Sequence, residues 1–207
     1  REPDNLARSV AEINMRHVVI TSVDRDDLKD GGAEQFVKCL NRIHEISPNT
    51  TIEVLTPDFR GYQESLDLVF KSKPDIFSHN IECVERVSKL VRPQSDWDRS
   101  KKVLSYSVES GLLTKTGMMV GLGEKKFEVV DTMREIADLG VSIFNIGQYL
   151  QPTKKHLEVQ RYVHPDEFLF YKDKGEQFGF DVVVSGPLVR SSYMADKQAE
   201  KIFLGQS

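Results

Sequence analysis

The feature that most constrains this chain is an order of elements: short β-branched runs alternate with segments of helical period. Residues 17–22 (HVVITS) are apolar and β-branched, and a polar loop from Asp24 to Gly32 follows. Residues 33–45 then carry Phe36, Val37, Leu40 and Ile43 at helical spacing, and Pro48 ends the segment. Further strands are predicted at 51–55, 75–78, 115–120 and 142–147. Helices are predicted at 62–72, 82–90, 97–109 and 127–139, the last stopped by Gly140. After the fifth strand, Pro165 opens a helix that runs to about residue 177, with His164 as its cap. A last strand at 181–184 leads into Ser185-Gly186-Pro187. Alternation of this kind builds βαβ units and a parallel sheet with right-handed connections.

An open doubly wound sheet and a barrel both satisfy that order. No GxGxxG follows the first strand, so the dinucleotide fingerprint is missing. Polar residues instead collect at the end of strand after strand: Thr21, Ser22, Asp24 and Arg25; Thr56, Asp58 and Arg60; His79, Asn80 and Glu82; Glu124; Gln148 and Gln151. In a β/α barrel those ends converge on the face where active sites form. The expectation is a barrel, and an incomplete one, because the strands are too few to close eight. The helical segment at 5–15 has no strand before it, which predicts an unpaired edge on the strand at 17–22. The missing initiator Met fits a sequence that begins inside a longer one.

Composition narrows the partners. Lys and Arg number 28 against 32 Asp and Glu, a net charge of −4, which is no footprint for nucleic acid. No apolar run approaches the ~20 residues that span a bilayer. Neither nucleic acid nor membrane is therefore expected as a partner. The two cysteines, Cys39 and Cys83, fall in separate helical segments and match neither a disulfide framework nor a metal spacing.

The strand-end groups each carry two readings. The loop Thr21 to Asp27 holds three carboxylates and a guanidinium, suited to a zwitterion or simply to solvent. Asn80 and Glu82 reach one vicinal diol such as a ribose, or Asn80 caps a helix with an acidic first turn. Gly121-Leu122-Gly123-Glu124 admits a planar ring or a phosphate, or only turns the chain. Lys115, near the start of its strand, reads as exposed. Lys154, Lys155 and Arg161 suit an acidic partner or solvent. Ser191 and Ser192, after Arg190, read as caps of a following helix. Asp24, His79 and Glu82 would also serve acid–base or metal chemistry in another β/α enzyme.

Taken in order, TSVDRDDLKDGGA, TPDFRG, HNIE, VRP, KTGMMVGLGE, IGQYLQPTKKHL, RYVHPDEF and SGPLVRSSY resemble the lipoyl synthases from about Arg16 to Asp196. The resemblance implies an α/β fold: a partial (β/α)6-type TIM-like barrel of the radical S-adenosylmethionine class over residues 1–160, missing its first strand. A C-terminal extension over 161–207 carries the RSSY segment. The implied activity is radical insertion of two sulfur atoms at C6 and C8 of a protein-bound octanoyl-lysine. The implied cofactors are S-adenosylmethionine and two [4Fe–4S] clusters, one reducing and one an auxiliary sulfur donor. The implied partners are an octanoylated lipoyl carrier domain or glycine cleavage H protein, and an electron donor such as ferredoxin or flavodoxin. By the same resemblance, Thr21, Ser22 and Asp24 face the methionine part, Asn80 and Glu82 the ribose, and Gly121, Gly123 and Glu124 the adenine. Lys115 and Gln148 are further cofactor candidates. Ser192 is implied as a ligand of the auxiliary cluster, and Arg190 as support for its negative environment. In the family, both cysteine triplets that hold the clusters precede the equivalent of Arg1. The chain as given is therefore expected to be inactive, and the alternative is a fragment that at most binds the carrier domain or a nucleoside. The implied compartment is the bacterial cytoplasm, or a mitochondrion or plastid.

Overall fold

The computed structural model describes residues 1–205. Helix α1 (Glu2–Ile13) precedes six strands, β1 (His17–Thr21), β2 (Thr51–Leu55), β3 (Ile76–Ser78), β4 (Thr114–Val120), β5 (Ile143–Gln148) and β6 (Val182–Gly186). All pair in parallel, in the spatial order β1-β2-β3-β4-β5-β6. Between them run α2 (Ala33–Ile46), α3 (Gln63–Lys71), α4 (Glu85–Val91), α5 (Trp97–Glu109), α6 (Lys126–Asp138) and α7 (Pro165–Phe178), and α8 (Ala195–Gly205) is the last described element. The expected alternation is present. The last strand pairs with β5 and runs two residues further than its apolar stretch suggests, adding a sixth strand to one continuous sheet.

Local chemistry explains the elements. The Asp30 carboxylate accepts from the Gly32 and Glu34 amides at 3.1 and 2.8 Å, satisfying donors that open α2. Phe36, Cys39, Leu40 and Ile43 then fall on its buried face. At α7 the expected cap holds: the His164 side chain accepts from the Asp166 amide at 3.3 Å, with Pro165 following. One helix starts late. Glu82 adopts φ +67° and bridges to Met118, so the chain stays extended past Asn80 and α4 begins only at Glu85.

Strand alternation sorts the two faces of the sheet. Ile52, Val54 and Phe77 pack against α2, and Met118, Val120, Phe144, Ile146 and Val183 pack with α6 and α7 on the outside. Their sequence neighbours Ile76, Ile143 and Val182 pack instead with Ala199 and Ile202 of α8. The sheet therefore curves around α8, which touches both edge strands, β1 and β6. Full burial of each of these side chains contributes roughly 1.5–3 kcal/mol against exposure. The sheet is open, with β1 and β6 as its edges. No described helix is long and apolar enough to cross a membrane.

The concave face also buries charge. Lys115, expected at the surface, is 1% exposed, and its Nζ donates to Glu53 Oε2 at 3.0 Å. The His17 Nε2 lies 3.7 Å from the same oxygen. Alternation along β4 turns Lys115 inward with Gly117, and the β2–β3–β4 register brings Glu53 within reach. Exposure of a residue near a strand start holds only when that face meets water, and here α8 and the neighbouring strands cover it.

Candidate functional site

At the C-terminal ends of β1, β2 and β3 opens a cavity of about 680 Å³, within the range of small-molecule sites. Thr21, Ser22, Asp24, Asn80 and Glu82 all line it, so five of the ten cofactor candidates meet in one place. The parallel sheet puts them there: residues that follow strands paired side by side emerge together.

The charges on this wall are organised by Arg92. Its Nη2 donates to Asp24 Oδ2 and its Nη1 to Glu82 Oε1, each at 3.0 Å. One guanidinium thus joins two carboxylates that are 58 positions apart in sequence. Burial pushes the Glu82 carboxyl up from its ordinary value, and Arg92 opposes that shift. The left-handed backbone at Glu82 is costly for a non-glycine residue and turns its carboxylate into the cavity. On the opposite wall, Arg60 donates to Asp26 at 3.0 Å and Arg99 to Asp58 at 2.7 Å, fixing neighbouring loops to each other. Arg92 belongs to a motif seen in the sequence but given no role there. Its place after a helix and before Pro93, facing an acidic loop, was the available signal.

His79 lies at the cavity edge in a structural role. Its Nδ1 donates to the Thr56 carbonyl at 3.0 Å, and Nε2 accepts from the Ser100 hydroxyl at 2.9 Å. Burial lowers its pKa.

The other cofactor candidates stand apart from this cavity. Glu124 accepts from the amides of Gly121 and Leu122 at 2.7 and 2.8 Å, closing its own turn. Gln148 accepts from the Val163 amide at 2.8 Å and donates to the Tyr149 and Arg161 carbonyls. Gly121, at φ +99°, has no room for a Cβ, which would lie 2.3 Å from Gln148 Nε2. These groups use their polar atoms to tie the β4–α6 turn to the connection after β5. Gly123 belongs to the same turn, and Lys115 lies within the buried pair already described.

The segment after β6 crosses the same end of the concave face. Asn145 Nδ2 donates to the Ser191 carbonyl at 3.2 Å, and Asn80 Nδ2 donates to Ser191 Oγ at 2.9 Å. Ser191 thus turns inward, while Ser192 and Arg190 are exposed. Among the described residues, neither serine hydroxyl bonds to an amide of α8, so the capping expected of them is not made. Arg190 Nη1 donates to the Val189 carbonyl at 2.6 Å. A smaller cavity of about 90 Å³ lies under this segment, between Asn80, Gly117, Asn145 and Ser191.

The residues present fit a nucleoside with a cationic tail. The large cavity has the volume, and two carboxylates already share one cation at its wall. They do not fit an iron–sulfur cluster by themselves. Among the described residues, no three His, Cys, Asp or Glu side chains are placed to hold a metal ion. Cys39 and Cys83 are buried, and burial pushes the Cys83 thiol up to about 12.

Comparison with known proteins gives the family. The Radical SAM superfamily model matches residues 1–136. Lipoyl synthase of Flavobacterium johnsoniae is 49% identical over 197 residues, covering 95% of this chain and 68% of that protein. Lipoyl synthases of Stutzerimonas stutzeri and Hahella chejuensis are 48% and 50% identical over 201 residues, covering 96% of this chain and 62% and 60% of theirs. The chain therefore spans 60% to 68% of the length of these relatives. Among solved structures, Streptococcus suis SuiB bound to S-adenosylmethionine superposes with TM-score 0.67 at 12% identity, over 88% of this chain and 42% of that one. Methylornithine synthase superposes with TM-score 0.62 at 11% identity, over 92% and 63%. At those identities the likeness concerns the fold, an α/β barrel architecture of which this open six-stranded sheet is a part. By its matched superfamily region and its closely similar relatives, the chain belongs to the radical SAM superfamily and, within it, to the lipoyl synthase family.

Proposed function

We propose that this chain forms the adenosyl-binding and serine-bearing portion of a lipoyl synthase, which inserts sulfur at C6 and C8 of an octanoyl-lysine on a carrier protein. The observation that carries the reading is the convergence of Thr21, Ser22, Asp24, Asn80 and Glu82 on one cavity, with the Arg190–Ser192 segment over the same strand ends. Hydrogen abstraction from an unactivated carbon is the chemistry that S-adenosylmethionine and a reducing cluster supply when bound.

The chain's own groups bind and orient. Asp24 accepts from an α-ammonium, and Thr21 and Ser22 hydroxyls hold the amino-acid end. Asn80 and Glu82 take the ribose hydroxyls. Arg92, which donates to both carboxylates in the structure, remains beside them to meet a carboxylate. The Gly121–Glu124 turn and Gln148 would lie toward the adenine, their polar atoms held within the turn and by the connection after β5, and Lys115 stiffens the concave face through Glu53. Exposed Ser192 offers one oxygen to an auxiliary cluster whose other ligands come from cysteines outside this chain, with Arg190 beside it. The carrier is a lipoyl domain or glycine cleavage H protein, electrons come from a ferredoxin- or flavodoxin-type donor, and the compartment is a bacterial cytoplasm, or a mitochondrion or plastid in a eukaryote.

S-Adenosylmethionine binding to this chain tests the site. Asn80→Ala should weaken it by about 1–3 kcal/mol, roughly 5- to 150-fold. An unchanged dissociation constant would remove Asn80 from the ribose. The lack of a cluster-binding donor set among the described residues also favours a second reading, that this chain alone binds a nucleoside without turnover. Formation of 5′-deoxyadenosine by the isolated chain would defeat it.

A further inference from the structure

Asn80 faces two ways. It lines the large cavity at the strand ends and also the small cavity under the segment after β6. Its Nδ2 donates to Ser191 Oγ across 111 positions of sequence. A carboxamide nitrogen carries two hydrogens, and the Ser191 bond uses one. The Asn80 Oδ1 has no partner among the described residues. The segment on the other side has little freedom to answer in other ways. Asn145, 3% exposed, holds its backbone at Ser191 and Arg190. A Cβ on Gly147 would come within 2.2 Å of the Val189 carbonyl, so the chain rests directly on β5.

We infer that Asn80 couples occupancy of the large cavity to the order of the Arg190–Ser192 segment, and that the coupling is positive. The inference rests on the adenosyl reading of the cavity. A ligand hydroxyl can accept the second amide hydrogen while the first stays on Ser191, so binding fixes the Asn80 rotamer in the orientation that holds the serine. The held serine in turn presents the amide to the ligand, and linkage makes the two effects equal. Asn80 and Ser191 act here as positioning residues for Ser192. The serine next in sequence is then set in place when a nucleoside is bound and is freer when it is not.

Hydrogen exchange of the backbone amides at 189–193, with and without saturating S-adenosylmethionine, tests this directly in the unaltered chain. The ligand should slow their exchange about two- to tenfold, the range that one neutral hydrogen bond sets. Ser191→Ala should lose that slowing and raise the dissociation constant of S-adenosylmethionine by the same factor, although Ser191 is not a wall of the large cavity. Ser191→Thr, which keeps the hydroxyl, should restore both. Binding by the unaltered chain with no change in exchange at 189–193 overturns the coupling, as does a Ser191→Ala chain that binds and protects as the parent does. No binding at all by the unaltered chain overturns the adenosyl reading, and the coupling with it.

Discussion

Replacing Lys115 by Met should destabilise the chain by about 3–5 kcal/mol at neutral pH, the usual cost of leaving a buried charge without its partner. The magnitude follows from the burial of the pair. The side chains of Lys115 and Glu53 are 1% and 0% exposed, and their charged atoms are 3.0 Å apart. At an effective dielectric constant of about 20, that distance gives an attraction of roughly 5–6 kcal/mol. The gain is spent on desolvation: burial still lowers the Lys115 pKa against the pull of Glu53. Met keeps the length of the lysine stem but removes the ammonium from the desolvated Glu53 carboxylate and leaves it with His17, whose Nε2 lies 3.7 Å away. The paired substitution Glu53→Leu with Lys115→Met removes both charges and should recover most of the loss. Urea denaturation followed through the single tryptophan, Trp97, which is buried at the start of α5, reads all three chains. A Lys115→Met cost under about 1 kcal/mol would refute a dry ion pair on the concave face.

Gly147→Ala should cost about 1–3 kcal/mol, because the new methyl would sit 2.2 Å from the Val189 carbonyl oxygen and push the serine segment off β5; faster amide exchange at 188–193 would accompany the loss in denaturant midpoint, and a neutral substitution would show that the segment is not seated there. Acid should release the loop after β5 from α7. Arg161 makes two bonds to Glu167, at 2.7 and 2.8 Å, and holds its carboxyl down at about 2. A depressed carboxyl contributes stability above its unfolded value, lost as pH falls through the folded one, so the window runs from about 4.5 to about 2. After screening at the 37% exposed guanidinium, roughly 1–2 kcal/mol should go, and Glu167→Gln should flatten that part of the stability profile.

The sequence alone determined the alternation of strands and helices, the parallel sheet and the cluster of polar strand ends, because side-chain period and turn residues are local properties. It also carried the family resemblance, since runs such as GQYLQPTKKHL and GPLVRSSY are contiguous. What each polar group does was decided by register. Asn80 reads as a helix cap until the left-handed Glu82 delays α4 and frees its amide for Ser191. Lys115 reads as exposed until parallel pairing sets Glu53 beside it and α8 fills the concave face. Arg92 has no assignable role until the loops after β1 and β3 bring Asp24 and Glu82 to one guanidinium. Period tells which residues share a face. Only the packing of distant strands and the returning chain tells what that face meets, and hydrogen bonds and desolvation depend on that meeting.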